Sequence, residues 1–243
     1  MTLGVIVQAR CGSHRLPSKV LLKLGNETIL EHVINRIKKL KCKKKIIIAT
    51  TKKLEDKKIK EIAKKNKCFY FAGSENNVLD RYYNAAKKFN IRTIVRICSD
   101  SPFIDSAIIE RGLRMYGGKK YDYVSNIIKP TYPAGMSVEI FNFKSLKKSY
   151  ESITDLEEKE HVTPYIYRNP KIFRIKNFTT NKKYKKYRFA IDYAEDYLAC
   201  TQIQKIISKL SKSKITLLNL AKIVDTNPSI KKLNDTKKTV LRY

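Results

Sequence analysis

The sequence predicts an α/β fold: a mainly parallel, mixed sheet with helices on both faces and a small β-containing arm. Two observations carry this. Apolar runs of strand length alternate with helix-period stripes through the first half of the chain. Runs such as Lys45-Ile-Ile-Ile-Ala49 are apolar on both faces, as strands of a covered parallel sheet must be.

In order, Leu3, Val5, Ile6 and Val7 predict a strand over 3–8. Ile29, Leu30, Val33, Ile34, Ile37 and Leu40 form one stripe of a helix over 28–40, with Thr28 and Glu31 at capping-box spacing. A strand over 45–49 ends at Thr50-Thr51, and a helix over 54–65 leads to a strand over 68–71. A helix over 74–89 takes Ser74 as its cap. The strand 93–98 runs into the turn Ser99-Asp100-Ser101-Pro102 and a helix over 105–115.

After Gly117-Gly118 the rhythm changes. Strands are expected over 122–126 and 136–141 around a Pro130…Pro133 loop, then helices over 143–150 and 155–168. Strands over 172–178 and 188–191, a helix over 197–210 and the segment 217–224 complete the pattern. No internal repeat is visible, so one domain is expected over 1–243, with an arm at about 118–190 and a tail at 225–243.

Hydrophobic residues make up 42% of the 243, enough for a sizeable core. No apolar run approaches the roughly 20 residues that span a bilayer, so no membrane is expected. Arg10 interrupts any apolar signal stretch near the start. The five cysteines are odd in number without C-x-x-C spacing, which argues against a disulfide framework or a zinc site and for a reducing cytoplasm. The formal charge of +30 invites a nucleic-acid reading. Yet 40 of the 52 basic residues are lysines spread along the chain, which favours a solvated surface that also attracts small anions.

The first strand runs into Gln8-Ala-Arg-Cys-Gly-Ser-His-Arg-Leu-Pro-Ser-Lys19. Arg10, Ser13, Arg15 and Lys19 supply three cations and a hydroxyl where open α/β sheets bind ligands, and Gly12 and Pro17 set the turns. That set suits a polyphosphate. Neither G-x-x-x-x-G-K-[ST] nor G-x-G-x-x-G occurs. Asp100, just past a strand, is either a Mg²⁺ ligand or a turn cap. Asp192, in Phe189-Ala-Ile-Asp-Tyr-Ala-Glu-Asp196, is either a second ligand or a helix N-cap.

The loop at 8–19 and the elements Arg96-Ile-Cys-Ser-Asp-Ser-Pro102 and Asp192-Tyr-Ala-Glu-Asp196 resemble the cytidylyltransferases that make CMP-activated sugar acids, in the branch known from spore-coat polysaccharide biosynthesis. Ser18, Ser99 and Ala194 stand where that family usually has Gly, Gly and Pro. The resemblance continues through Gly73–Tyr83, Tyr123–Asn126, Tyr132–Glu139, Glu160–Tyr165 and Asn227–Asn234. It implies a Rossmann-like, nucleotide-diphospho-sugar transferase-like fold and transfer of CMP from CTP to an acidic sugar, with pyrophosphate released. Nucleotide binding would fall to Gln8, Ala9, Arg10, Gly12, Ser13, Lys19, Thr50, Asp80 and Arg96. Catalysis would fall to Arg10, Arg15, Lys19 and Asp100, with Mg²⁺ on Asp100 and Asp192. The anionic acceptor would meet Asn126, Tyr132, Glu139, Glu160 and His161. A homodimer is also implied. The alternatives are a sugar-nucleotide-dependent glycosyltransferase, against which the lack of D-x-D at Asp100 counts, and a basic nucleic-acid-binding protein.

Overall fold

A computed structural model describes residues 2–117, 120–209 and 215–235. The chain opens with β1 (Leu3–Gln8), the two-residue strands β2 (Lys23–Leu24) and β3 (Glu27–Thr28), and α1 (Ile29–Lys38). β4 (Lys45–Thr51), α2 (Lys57–Lys65), β5 (Phe69–Gly73), α3 (Val78–Lys88), β6 (Thr93–Cys98) and α4 (Ser106–Tyr116) continue the alternation. The second half holds β7 (Tyr123–Ser125), β8 (Glu139–Asn142), α5 (Phe143–Ser152), α6 (Leu156–His161), α7 (Pro164–Arg168) and β9 (Ile175–Asn177). The helices α8 (Ala194–Ser208), α9 (Leu217–Thr226) and α10 (Pro228–Asn234) follow.

Among the described residues the main sheet has seven strands in the order β5-β4-β1-β6-β8-β7-β9, and β2 pairs with β3 in a separate hairpin. β5, β4, β1 and β6 are parallel; β8 lies antiparallel to both β6 and β7, so the sheet is mixed. Alternation along β1 divides the core. Val5 and Val7 pack with α1, α4 and α8 on one face, and Ile6 packs with α3, α5 and α7 on the other. None of the described helices is long and apolar enough to cross a membrane.

Local chemistry moves several boundaries. Thr28 and Glu31 form the expected capping box on α1. α3 starts later than the sequence suggests, because Asn77 Oδ1 accepts the Asp80 amide at 2.8 Å, while Ser74 Oγ accepts the Asn77 amide one step earlier. The helix expected over 155–168 is broken at Val162 (φ +72°), and Pro164 begins α7. Residues 188–191 do not form a strand. They make a single bridge from Arg188 to Ala134, and the Phe189 and Ile191 amides go to the carbonyls of Ala134 and Asp100. α8 starts at Ala194 rather than 197, since Asp196 caps the amide of Tyr193. β2, β3 and α10 have no counterpart among the elements expected from the sequence. Gly118, Leu210 and the tail over 236–243 lie outside the described residues.

Candidate active site

The chain runs from β1 outward through β4 to β5, then returns to β6 on the other side of β1. The strand order therefore reverses at β1, and the loops leaving β1 and β6 open a crevice at the carboxyl ends of both strands, where doubly wound sheets bind ligands. Gln8 and Cys98 are opposite one another in register, so the two loops start side by side.

The loop after β1 is folded on itself and on β4. The carbonyl of Cys11 accepts the amides of Ser13 and Ser18 at 2.7 and 2.9 Å. Ala9 is buried and donates its amide to Ala49 of β4. Asp56, 2% exposed, accepts the Cys11 amide on Oδ1 and the amide and hydroxyl of Thr51 on Oδ2. Burial alone would raise this carboxyl's pKa; the hydrogen bonds from Thr51 and Cys11 outweigh it and hold it below the ordinary aspartate value. Gly12 faces acids, and a Cβ there would stand 3.2 Å from Glu75 Oε1. Ser18, in the family's glycine position, adopts a left-handed backbone (φ +53°), the conformation that makes glycine usual there.

Lys19 follows directly, and its ammonium is the centre of the site. Nζ donates to Asp100 Oδ2 at 3.2 Å, Asp192 Oδ1 at 2.9 Å and the Ile191 carbonyl at 2.7 Å. Burial lowers the lysine's pKa, but the two carboxylates outweigh it and raise it above its ordinary value. Arg15 donates to the same Asp192 oxygen at 2.9 Å and lies over the Tyr193 ring, 4.9 Å from its centroid. Burial raises the Asp192 pKa, yet Lys19, Arg15 and Arg188 together bring it below the ordinary value. The Ile191 amide to Asp100 carbonyl bond sets the two acidic segments against each other. Arg10 reaches the Glu75 carbonyl at 3.5 Å and Glu160 at 3.6 Å, which draws α6 toward the loop.

Thus Arg15, Lys19, Asp100 and Asp192 are gathered, with Arg10 and Glu160 as a second pair. Ser13 is part of the loop, and His161 is the half-buried last residue of α6. Gln8 and Thr50 stand at the carboxyl ends of β1 and β4, and the buried Gln8 Oε1 and Thr50 Oγ1 have no hydrogen-bond partner.

The other expected residues are turned inward. Arg96 pairs with Glu139 directly across β6 and β8, and Glu139, 2% exposed, also accepts the hydroxyls of Tyr123 and Thr163. The pair is largely buried, and Arg96 Nε is left without a hydrogen-bond partner beside it. Asn126 clamps its own loop through the Met136 carbonyl and the Val138 amide. Tyr132 is 8% exposed, with its hydroxyl on Arg111. Asp80 accepts from Asn84 and Tyr150 and so ties α3 to α5. In this structure each of Arg96, Asn126, Tyr132, Glu139 and Asp80 is engaged by other groups of the chain and braces the fold. Sequence reasoning missed Asp56, Arg188, Tyr193 and Glu75. Asp56 had the one available signal, an acid just before a helix.

A family model described as cytidylyltransferase matches residues 4–239. The chain belongs to the cytidylyltransferase family. An uncharacterized protein of Methanocaldococcus jannaschii is 38% identical over 233 residues, covering 94% of this chain and 93% of its own. The spore coat polysaccharide biosynthesis protein SpsF of Bacillus subtilis is 30% identical over 204 residues, 79% of this chain and 82% of its own. A cytidylyltransferase structure from Leptospira borgpetersenii superposes with a TM-score of 0.89 at 34% identity, over 99% of both chains. This cytidylyltransferase has the nucleotide-diphospho-sugar transferase-like fold that the resemblance implied.

Proposed function

We propose that the protein transfers CMP from CTP to a small anionic sugar-like acceptor, releasing pyrophosphate, in the assembly of a surface polysaccharide. The observation that carries this reading is the convergence of Lys19, Asp100 and Asp192 on one point at the switch of the sheet. Membership of the cytidylyltransferase family supports a cytidine nucleotide as the substrate there, and the relationship to SpsF supports the polysaccharide context.

The donor set suits Mg²⁺. Asp100 Oδ2 and Asp192 Oδ1 are hard oxygens that already share one cation, the Lys19 ammonium. Mg²⁺ is commonly bound by one or two carboxylates plus phosphate oxygens and water. Among the described residues no group of three or more His, Cys, Asp and Glu is gathered, so the phosphates would supply the remaining ligands. When bound, Mg²⁺ would withdraw charge from the α-phosphate and orient it.

The protein's own groups do the rest. Lys19, released from the carboxylates, and Arg15 and Arg10 on the same loop neutralise the triphosphate and the departing pyrophosphate. Attack by the acceptor oxygen on the α-phosphorus breaks the bond to the β-phosphate bridging oxygen, and pyrophosphate carries the charge away. The unpartnered Gln8 Oε1 and Thr50 Oγ1 offer polar atoms to the base edge. Glu160, paired with Arg10, would meet the acceptor.

The test is pyrophosphate release from each of the four nucleoside triphosphates with Mg²⁺ over a panel of sugar acids. CTP-selective turnover that Asp100→Asn reduces by at least about 10³-fold at unchanged melting temperature supports the reading. Near-normal turnover by Asp100→Asn, or equal use of all four nucleotides, refutes it.

A further inference from the structure

Arg188 has no part in the chemistry proposed above, yet its side chain is 6% exposed and pairs directly with Asp192. Its fork takes both oxygens of Asp196, from Nε at 2.7 Å and Nη2 at 2.9 Å. The same Nη2 donates to Asp192 Oδ2 at 2.9 Å. Asp196 is fully buried, and its Oδ2 also accepts the amides of Asp192 and Tyr193, at 3.0 and 3.1 Å. Its Oδ1 accepts Asn234 Nδ2 from α10 at 3.1 Å. The backbone of Asp192 is therefore held by Asp196 and its carboxylate by Arg188, while Asp196 neutralises the guanidinium.

The consequence is a divided carboxylate. Asp192 Oδ2 faces the protein and is taken by Arg188; Oδ1 faces Asp100 and accepts from Lys19 and Arg15, the two loop cations that the triphosphate would draw away. We propose that Arg188 is a positioning residue that limits Asp192 to one-oxygen ligation and thereby makes the site select Mg²⁺ over Ca²⁺. The inference rests on the reading of Asp192 as a cation ligand. Mg²⁺ demands a compact octahedron, whereas Ca²⁺ takes six to eight oxygens and often both oxygens of one carboxylate. A planar fork grips both oxygens of Asp196 and still reaches Asp192 in a fixed geometry; an ammonium, a point charge with rotatable donors, has no such fork.

Mg²⁺ and Ca²⁺ are titrated calorimetrically into the full-length protein with an α,β-methylene analogue of CTP. The wild type is expected to prefer Mg²⁺. Arg188→Lys and Arg188→Met are expected to weaken Mg²⁺ about tenfold or more, as loss of an outer-shell partner does, and Ca²⁺ less, so that the Mg²⁺/Ca²⁺ affinity ratio falls at least severalfold. Where Arg188→Met alone fails to fold because Asp196 is left charged and buried, Arg188→Met with Asp196→Asn removes that charge and is read in its place. An unchanged ratio in a folded variant, or an equal loss for both ions, overturns the inference. Asp192→Asn separates the two readings. If it leaves cation binding intact, the ligand assignment fails. If it abolishes binding while the Arg188 variants keep the wild-type ratio, the positioning role alone fails.

Discussion

Ser18 holds φ +53°, and a left-handed backbone costs a residue with a Cβ about 1–2 kcal/mol. Glycine would relieve that strain and lose some of the gain to its freer unfolded chain. Ser18→Gly is expected to stabilise the protein by about 0.5 kcal/mol in urea denaturation. Asp56 carries more, because Asp56→Asn weakens charge-assisted bonds to two segments at once; a loss of about 2 kcal/mol is expected. Its depressed pKa gives the sign of the pH dependence. The stabilisation is complete above the unfolded aspartate value near 3.9 and disappears as pH falls through the folded value. Asp192 acts in the same direction, so wild-type stability should drop below about pH 4 and drop less in Asp56→Asn. Lys19 was legible from residue type and loop context alone. Asp56 and Arg188 were not, because their meaning lies in partners: Asp56 binds a residue 45 positions away, and Arg188 reads as one more cation until Asp192 and Asp196 are seen around it. Lys19 also stands where a divalent cation would. Lys19→Ala is expected to bind CTP more weakly but Mn²⁺ more tightly in the absence of nucleotide, measured by electron paramagnetic resonance. Unchanged Mn²⁺ binding would show that the ammonium does not compete for that position.

At the scale of elements, the parallel strands were readable because burial on both faces leaves an uninterrupted apolar run. The segment 188–191 misled for a related reason. Phe189 and Ile191 are buried like strand residues, but their amides are satisfied by two separate loops, Ala134 and Asp100, rather than by a ladder. That arrangement depends on Gly135, whose φ is +90° and where a Cβ would lie 2.6 Å from the backbone of Phe189 and Ala190. Gly135→Ala must push residues 189–190 away and with them Asp192. Several kcal/mol of stability should be lost, and any folded fraction should show a weakened affinity for CTP with Mg²⁺. A variant with wild-type melting temperature and affinity would mean that this contact is slack. The inward turn of Glu139 was equally hidden: a lone glutamate near a predicted strand end gives no sign that Arg96 will be its cross-strand neighbour.

For the molecule as a whole, +30 is a standing self-repulsion. Lysines also gather at the amino ends of β4 and β5, where Lys38, Lys44, Lys45, Lys65 and Lys67 line a cleft with the exposed Phe69. Salt should therefore act in two opposite senses. Raising ionic strength from about 0.02 to 0.2 M shortens the screening length to roughly 7 Å. It should raise the melting temperature by a few degrees, on the order of 1 kcal/mol. Over the same range it should slow capture of the nucleotide, read as a falling kcat/KM for CTP. A melting temperature indifferent to salt would show that the positive charges are too dispersed to matter.

The bridge from Lys19 to Asp192 joins residues 173 positions apart, and Asn234 reinforces it from further still. During synthesis the basic loop leaves the ribosome 173 residues ahead of the acid that restrains it. Until then Lys19 has only Asp100 to answer it, and the pair of carboxylates is complete only when the second acidic segment arrives.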